Sequence, residues 1–364
     1  MAKIFKAIGL MSGTSLDGID LALIETDGFD YIKVLKTDYF AFEDNLQIQI
    51  KKIFFEKILV NEICELENII TNHHIELVNN FLKKNNLKSQ DIDLIGFHGL
   101  TLYHNPSLNI SWQIGNSQNL ATKTNIKVIG NFRSKDISRG GQGAPLVPIY
   151  HYHLFRNKFQ NLMVLNIGGV ANYSYFEDNI ESLFASDLSF GNAVFNDKMQ
   201  KYFNKNFDDE GKLASTGKVN EGLINEIMQH KIFQIKPPIS FSRNDFDEVL
   251  APLNQLEVND ILANYCQIFS LNLRHKIEQN FQPKKIIICG GGAYNLTLVN
   301  YIKNSLPNIE ILTAKEAGFS IDSIEAEAFA FLAVRSSLNL PISFKKTTDC
   351  KDVDGCVGGV IFNP

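Results

Sequence analysis

Cysteine is sparse: five residues in a chain of 364, at Cys64, Cys266, Cys289, Cys350 and Cys356. They are odd in number and include no C-x-x-C pair. This excludes a disulfide framework and the usual zinc-finger spacing, and suits a reducing compartment in which each cysteine is a small buried hydrophobe. No apolar run approaches membrane-spanning length, and the opening Met-Ala-Lys-Ile-Phe-Lys has no apolar core of a secretory signal. The expectation is a cytoplasmic protein with no membrane partner. A basic surplus is also missing. The net charge of -5 argues against a nucleic-acid partner. It does not argue against a nucleotide, whose phosphates need only a few local donors.

An apolar share of 45% with 21% charged residues is ordinary for a globular chain, and 364 residues are long for one core. Two domains are expected. Strands are expected at 3–10, 19–26 and 31–39, then helices over 44–57 and 62–85. A strand at 92–97 leads into a polar loop that begins at His98. Trp112 to Gly115, a helix at 117–124 and a strand at 126–132 follow. The glycine-rich stretch SRGGQGAP at 138–145 reads as a connector, with a boundary near it. Strands then fall at 162–167, 170–176, 181–186 and 285–289. Helices fall near 191–204, 220–230, 257–281, 295–305 and 323–337. The alternation favours an α/β fold. A strand–glycine turn–strand pattern occurs twice, at 5–26 and 162–176, as a duplicated lobe would show.

The first glycine turn holds Ser12, Gly13, Thr14, Ser15, Leu16, Asp17, Gly18, Ile19 and Asp20. Small residues let backbone N–H groups approach a phosphate, and hydroxyls add donors. No Gly-Lys-Ser/Thr follows, so this is not a Walker A loop. Asp17 and Asp20 would repel bare phosphate, which implies Mg²⁺ held through water between them. The same residues equally suit a solvated hairpin with aspartate favoured by turn chemistry. Gly168 and Gly169 form a second such turn. Gly290, Gly291 and Gly292 lie between a strand and a helix whose N-terminus a ligand could meet, but no dinucleotide fingerprint surrounds them. Asp187 ends a strand and is a candidate general base, or else a turn or capping residue. His98 and His104 flank a loop without metal spacing. Arg133 and Arg139 bracket another and offer partners to an anionic group. Glu325 and Glu327, two apart on one helix, cannot share a face.

Taken together, GLMSGTSLDGID at 9–20, FHGLTLYHNP at 97–106, WQIGN at 112–116, NFRSKDISRGGQGAPLVP at 131–148, LNIGGVAN at 165–172, DLSFGN at 187–192, GKLASTGKVNEGL at 211–223, CGGGAYN at 289–295 and EAEAFAFLA at 325–333 are more specific than any one stretch. The chain resembles the 1,6-anhydro-N-acetylmuramate kinase family of the actin/hexokinase/Hsp70 ATPase superfamily. The resemblance implies a two-lobed actin-like (ribonuclease H-like) α/β fold with ATP in the interlobe cleft. The lobes would span 1–133 plus 336–364 and 134–335. It also implies Gly13 to Asp20 and Gly168–Gly169 on the phosphates, Gly290 to Gly292 by the adenosine, and Asp187 as catalytic base. His98, Thr101, Arg133 and Glu325 would contact the sugar, and the chain would be a homodimer. The implied reaction consumes ATP and water, opens the anhydro bond and phosphorylates O6, a step in peptidoglycan recycling. Leu100, Asn131, Leu188, Ser189, Phe190 and the run Phe241 to Asn244 depart from the family's usual residues. Those departures keep open a kinase of the same fold for a related sugar. A nucleotide-binding sensor without catalysis is the other alternative.

Overall fold

The computed structural model describes residues 3–13, 18–55 and 58–364. The apolar, β-branched stretches of the first third form β1 (Phe5–Ser12), β2 (Gly18–Thr26), β3 (Ile32–Ala41), β4 (Leu94–Asn105), β5 (Ile110–Ile114) and β6 (Val128–Gly130). Later come β7 (Leu162–Ile167), β8 (Val170–Phe176), β9 (Phe184–Phe190), β10 (Lys285–Cys289), β11 (Glu310–Thr313) and β12 (Val360–Phe362). They make two sheets, ordered β12-β6-β4-β1-β2-β3 and β11-β10-β7-β8-β9. In each sheet the first three strands are an antiparallel meander, and the first strand is flanked on its other side by parallel strands. The same order twice is the internal repeat that the paired glycine turns imply.

The chain divides into two units, Met1–Leu154 with Ser323–Pro364, and Phe155–Asp322. Both joins differ from the expected 133/134 and 335/336, for a packing reason. The helix Pro148–Phe155 is tied into the first unit: Tyr150 Oη donates to Glu327 at 2.6 Å and His153 Nδ1 lies 2.9 Å from Asp30. The helix Ile324–Ser337 lies against β1, β2 and β4 of the same unit.

That last contact rests on two glycines. Gly9 of β1 and Gly96 of β4 are register partners. A Cβ on Gly9 would fall 1.8 Å from the Ala326 carbonyl oxygen, and one on Gly96 would fall 2.1 Å from that of Phe329. Helix backbone therefore sits directly on strand backbone, which explains the alanines of IEAEAFAFLA. On the other side, the helix Val60–Lys84 turns Leu66, Ile70, Leu77, Val78 and Phe81 into the core, the spacing of one helical face.

Two expected boundaries move. The loop expected at His98 is strand: β4 continues to Asn105 and pairs antiparallel with β5, because Leu100 and Leu102 alternate inward. Asp187 lies inside β9 rather than at the end of a strand. Gly9→Val and Gly96→Val should each cost about 3 kcal/mol or more in urea unfolding, because helix backbone cannot give way. Gly222→Ala, with its nearest neighbour 3.5 Å away, should be close to neutral.

Candidate functional site

In open sheets with parallel strands, ligands gather beyond the carboxyl ends of those strands. In the second unit, β7 ends at the Gly168–Gly169 turn and β10 ends at Gly290. The helix Asn192–Phe203 starts against the turn: Gly191 N donates to Gly169 O at 3.1 Å and Asn192 N to Gly168 O at 2.7 Å. Both turn carbonyls are thus engaged, while among the described residues their own N–H groups donate to no carbonyl. The first N–H groups at the helix start are satisfied by the turn carbonyls, so any donors for an anion here would come from the turn instead.

Glycine is required at Gly191, Gly290 and Gly292. A Cβ on Gly191 would sit 2.2 Å from Gly168 O. On Gly290, whose φ is +73°, it would sit 2.4 Å from Asn166 Oδ1, and on Gly292 2.3 Å from Ile167. Gly291 lies against Asn192. The structure therefore brings Gly168, Gly169, Gly290, Gly291 and Gly292 together around Asn166, Ile167 and Asn192. The triple glycine does not open a helix directly. A 3₁₀ turn, Gly291–Tyr294, intervenes, and the helix Leu296–Ser305 is capped by Asn295 Oδ1, which accepts from Leu298 N at 2.9 Å. Gly211, of the stretch GKLASTGKVNEGL, packs against that cap: Thr297 Oγ1 donates to Gly211 O at 2.8 Å.

Asp187 faces Asn172 of β8 across the ladder. A segment from Phe233 to Phe241 runs beside it as a strap. Asp187 N donates to Ile239 O at 3.0 Å, and Asp187 Oδ2 accepts from Phe241 N at 2.7 Å and Ser240 Oγ at 3.3 Å. The strap is anchored by Lys276, a 5% exposed lysine on the helix Val258–Asn280. Its Nζ donates to Phe233 O at 2.9 Å and Ile235 O at 2.8 Å, and burial lowers its pKa. Arg243 holds the following residues to Asp197 of the helix Asn192–Phe203. Leu188, Ser189 and Phe190 are buried, with Phe190 packed on Phe246, Tyr265 and Phe269. Phe246 in turn meets Phe241, whose N–H holds Asp187. These departures from the family pattern are core residues that position the strap. Leu100 is likewise core, at 1% exposed.

The first unit repeats the plan. β1 leads into Gly13 and β6 leads toward Arg133, while β4, parallel to both, carries His98 within it. Thr14, Ser15, Leu16 and Asp17 lie outside the described residues. Gly18 is buried where a Cβ would fall 2.3 Å from Phe40 O, and Ile19 is a core side chain, so these two meet a ligand only through main chain. Asp20, half-buried, is the third residue of β2 and stands opposite Met11. His98 and Arg133 are joined: His98 Nε2 accepts from Arg133 Nη2 at 2.7 Å and Nε at 3.1 Å, and His98 Nδ1 donates to Gly99 O at 2.8 Å. That network assigns the neutral Nδ1–H tautomer. Burial, then the Arg133 charge, hold the His98 pKa well below its usual 6.5. Arg133 Nη1 also donates to Gly143 O at 2.7 Å. Thr101 stands apart, accepting from Gln113 Nε2 at 3.2 Å, and Arg139 pairs with Asp352 at 3.5 Å. On the alanine-rich helix Glu325 is half-buried, whereas Glu327 is buried and accepts from Ser323 Oγ at 2.6 Å as well as from Tyr150. Sequence reasoning missed Asn166, Gly191, Asn192 and Lys276. Only Gly191, a glycine at a strand–helix junction, carried a visible signal.

A family model described as anhydro-N-acetylmuramic acid kinase matches residues 5–363. A protein of that description from Zymomonas mobilis subsp. mobilis is 38% identical over 354 residues, covering 94% of this chain and 96% of its own. One from Bradyrhizobium diazoefficiens is 35% identical over 380 residues, covering 98% and 99%. Among solved structures, component A of the Acidaminococcus fermentans (R)-2-hydroxyglutaryl-CoA dehydratase is 13% identical with a TM-score of 0.49, covering 92% of this chain and 99% of its own.

Two outcomes are expected. Lys276→Met leaves two carbonyls without their donor and should cost about 1–3 kcal/mol, with faster amide exchange over 239–241. Acid should destabilise the fold earlier than carboxylate titration requires. Burial lowers His98 well below 6.5, His74 and His104 to about 4, and His151 to about 3. The unfolded chain binds protons below about pH 6.5 while the native chain does not, so stability is full above that pH and falls as pH drops. Each histidine contributes at most about 1.4 kcal/mol per pH unit. Urea midpoints at pH 7.5 and 5 read this directly; an unchanged midpoint would contradict the buried neutral imidazoles.

Proposed function

The chain belongs to the anhydro-N-acetylmuramic acid kinase family, and on that premise we propose that it converts ATP, water and 1,6-anhydro-N-acetylmuramate to ADP and N-acetylmuramate 6-phosphate. Asp187 takes a proton from water as the water oxygen bonds to the anomeric carbon. The C1–O6 bond breaks, and O6 bonds to the γ-phosphorus as the bridge to the β-phosphate breaks. Phosphoryl transfer asks little covalent chemistry of the protein; positioning and charge stabilisation dominate.

The observation that carries this reading is the strap on Asp187. Two donors from Ser240 and Phe241 orient a carboxylate in the unit that also gathers the Gly168–Gly169 and Gly290–Gly292 turns. A protein that only held nucleotide would have little need for a carboxylate so oriented. We assign the N–H groups of Gly168 and Gly169, and the Gly13 to Asp20 turn, to the phosphates. Gly290 to Gly292, where a side chain would collide, are assigned to close approach of the adenosine. His98, Thr101, Arg133 and Glu325 are assigned to the sugar. The Arg133 guanidinium suits the lactyl carboxylate, and neutral His98 accepts from it and so fixes its plane. Mg²⁺, when bound, neutralises phosphate charge; Asp20 fits it as a half-buried carboxylate beside the first turn, acting through water with Asp17. Among the described residues no helix is long and apolar enough to cross a membrane. We place the reaction in the cytoplasm and expect a homodimer.

The test is incubation with ATP, Mg²⁺ and 1,6-anhydro-N-acetylmuramate, following ADP and sugar phosphate. Equal amounts of both are expected. Bound ATP without turnover, or turnover only with other sugars, would sink the reading. Asp187→Asn should keep ATP affinity within about twofold and lower kcat at least ~100-fold, the low end for a lost general base. A variant near full rate would remove Asp187 from the role.

A further inference from the structure

The connector at 138–145 is organised by a buried carboxylate. Asp136, on the short helix Ser134–Ser138, is 1% exposed. It accepts from Gly143 N at 2.7 Å through Oδ1, and from Thr348 Oγ1 at 2.6 Å and Ser343 Oγ through Oδ2. All three donors are neutral, and among the described residues no lysine, arginine or histidine forms an ion pair with it. A buried carboxyl held by neutral donors alone offers a cation an oxygen ligand already fixed in place. Beside it stand Cys350 and Cys356, both fully buried and unbridged. The two sulfurs and a carboxylate oxygen lie within 4.8 Å of one another.

We propose that Asp136, Cys350 and Cys356 bind a borderline-soft divalent ion of the zinc type, which fastens the C-terminal segment to the loop behind Arg133. The donor set is right for that ion: thiolate sulfur at about 2.3 Å and carboxylate oxygen at about 2.0–2.2 Å, in a tetrahedron that one further donor completes. Such a geometry places donors roughly 3.5–3.8 Å apart, so the three groups need close by no more than about 1.3 Å. Oδ1 accepts one protein hydrogen bond and keeps a second acceptor position. The donors from Gly143, Ser343 and Thr348 would fix the plane of the ligating carboxylate, as groups around metal ligands commonly do. Binding exchanges the two thiol protons, released to solvent, for the ion.

The place also calls for a fastening. Between the helix Lys345–Thr348 and β12 the chain runs without a helix or strand of its own, and the isolated Ser343–Cys356 bridge ties it back. Lys351 N donates to Arg139 O at 3.1 Å and Gln142 N to Thr348 O at 2.6 Å, so this segment closes over the connector. Gly143 joins the two sites, since its N–H meets Asp136 and its carbonyl holds Arg133. Cysteine spacing alone could not show this, because the third donor lies more than two hundred residues earlier in the chain.

The reduced full chain, stripped with a chelator, is titrated with Co²⁺ and then with Zn²⁺. One equivalent of Co²⁺ should produce a sulfur-to-cobalt charge-transfer band and intense tetrahedral d–d bands. One equivalent of Zn²⁺ should abolish them, and a tenfold excess of Mg²⁺ should not. Cys350→Ser and Cys356→Ser should each remove the charge-transfer band or weaken it by half, and Cys64→Ser should leave it intact. The wild-type titration stands without any variant: no thiolate band at one equivalent overturns the proposal. So does a band that survives both cysteine substitutions.

Discussion

Backbone packed directly on backbone is the constraint from which the rest of this structure follows. Where Gly9 and Gly96 face the helix Ile324–Ser337, and where Gly191 faces the Gly168–Gly169 carbonyls, no Cβ fits. Each contact removes the thickness of a side-chain layer. In the first unit that brings the alanine-rich helix down onto β1 and β4, and so fixes the chain's return from the second unit. In the second unit it seats a helix N-terminus on a glycine turn and satisfies donors that would otherwise compete for a ligand.

The residues proposed for function sit at the edges that this packing leaves. Parallel strands of both sheets lead to turns and polar side chains: Gly13 after β1 and Arg133 after β6 in one, with His98 within β4, and Gly168–Gly169 and Gly290–Gly292 in the other. The second unit adds a carboxylate held from the side. Asp187 owes its orientation to Ser240 and Phe241, those residues owe their place to Lys276 and to the Phe190–Phe246 aromatic packing, and none of that support needs to touch substrate. For the base role proposed for Asp187, such support would hold the carboxylate at low conformational cost during attack by water.

Much of this was legible in the residues. Periodicity located the strands 162–167, 170–176 and 285–289 as they stand, and the paired glycine turns announced a repeated unit. What escaped were long-range effects. His98 sits in strand because Leu100 and Leu102 pack inward, a tertiary preference that a polar local composition hides. Asp187 lies within β9 because the strap supplies it with partners from fifty residues away. Leu188 and Phe190, which looked like changes on the sugar side, are core residues. Lys276 carried no local signal at all, since a lysine on an amphipathic helix normally reads as solvated.

The central claim is that water, activated beside Asp187, attacks the sugar while O6 receives the phosphoryl group. Running one turnover in ¹⁸O-labelled water and fragmenting the promptly quenched product tests it most directly. One heavy oxygen is expected in the sugar phosphate, retained on the sugar and absent from the phosphate fragment. Heavy oxygen in free phosphate, with unlabelled sugar, would show that water had attacked ATP instead and would contradict it.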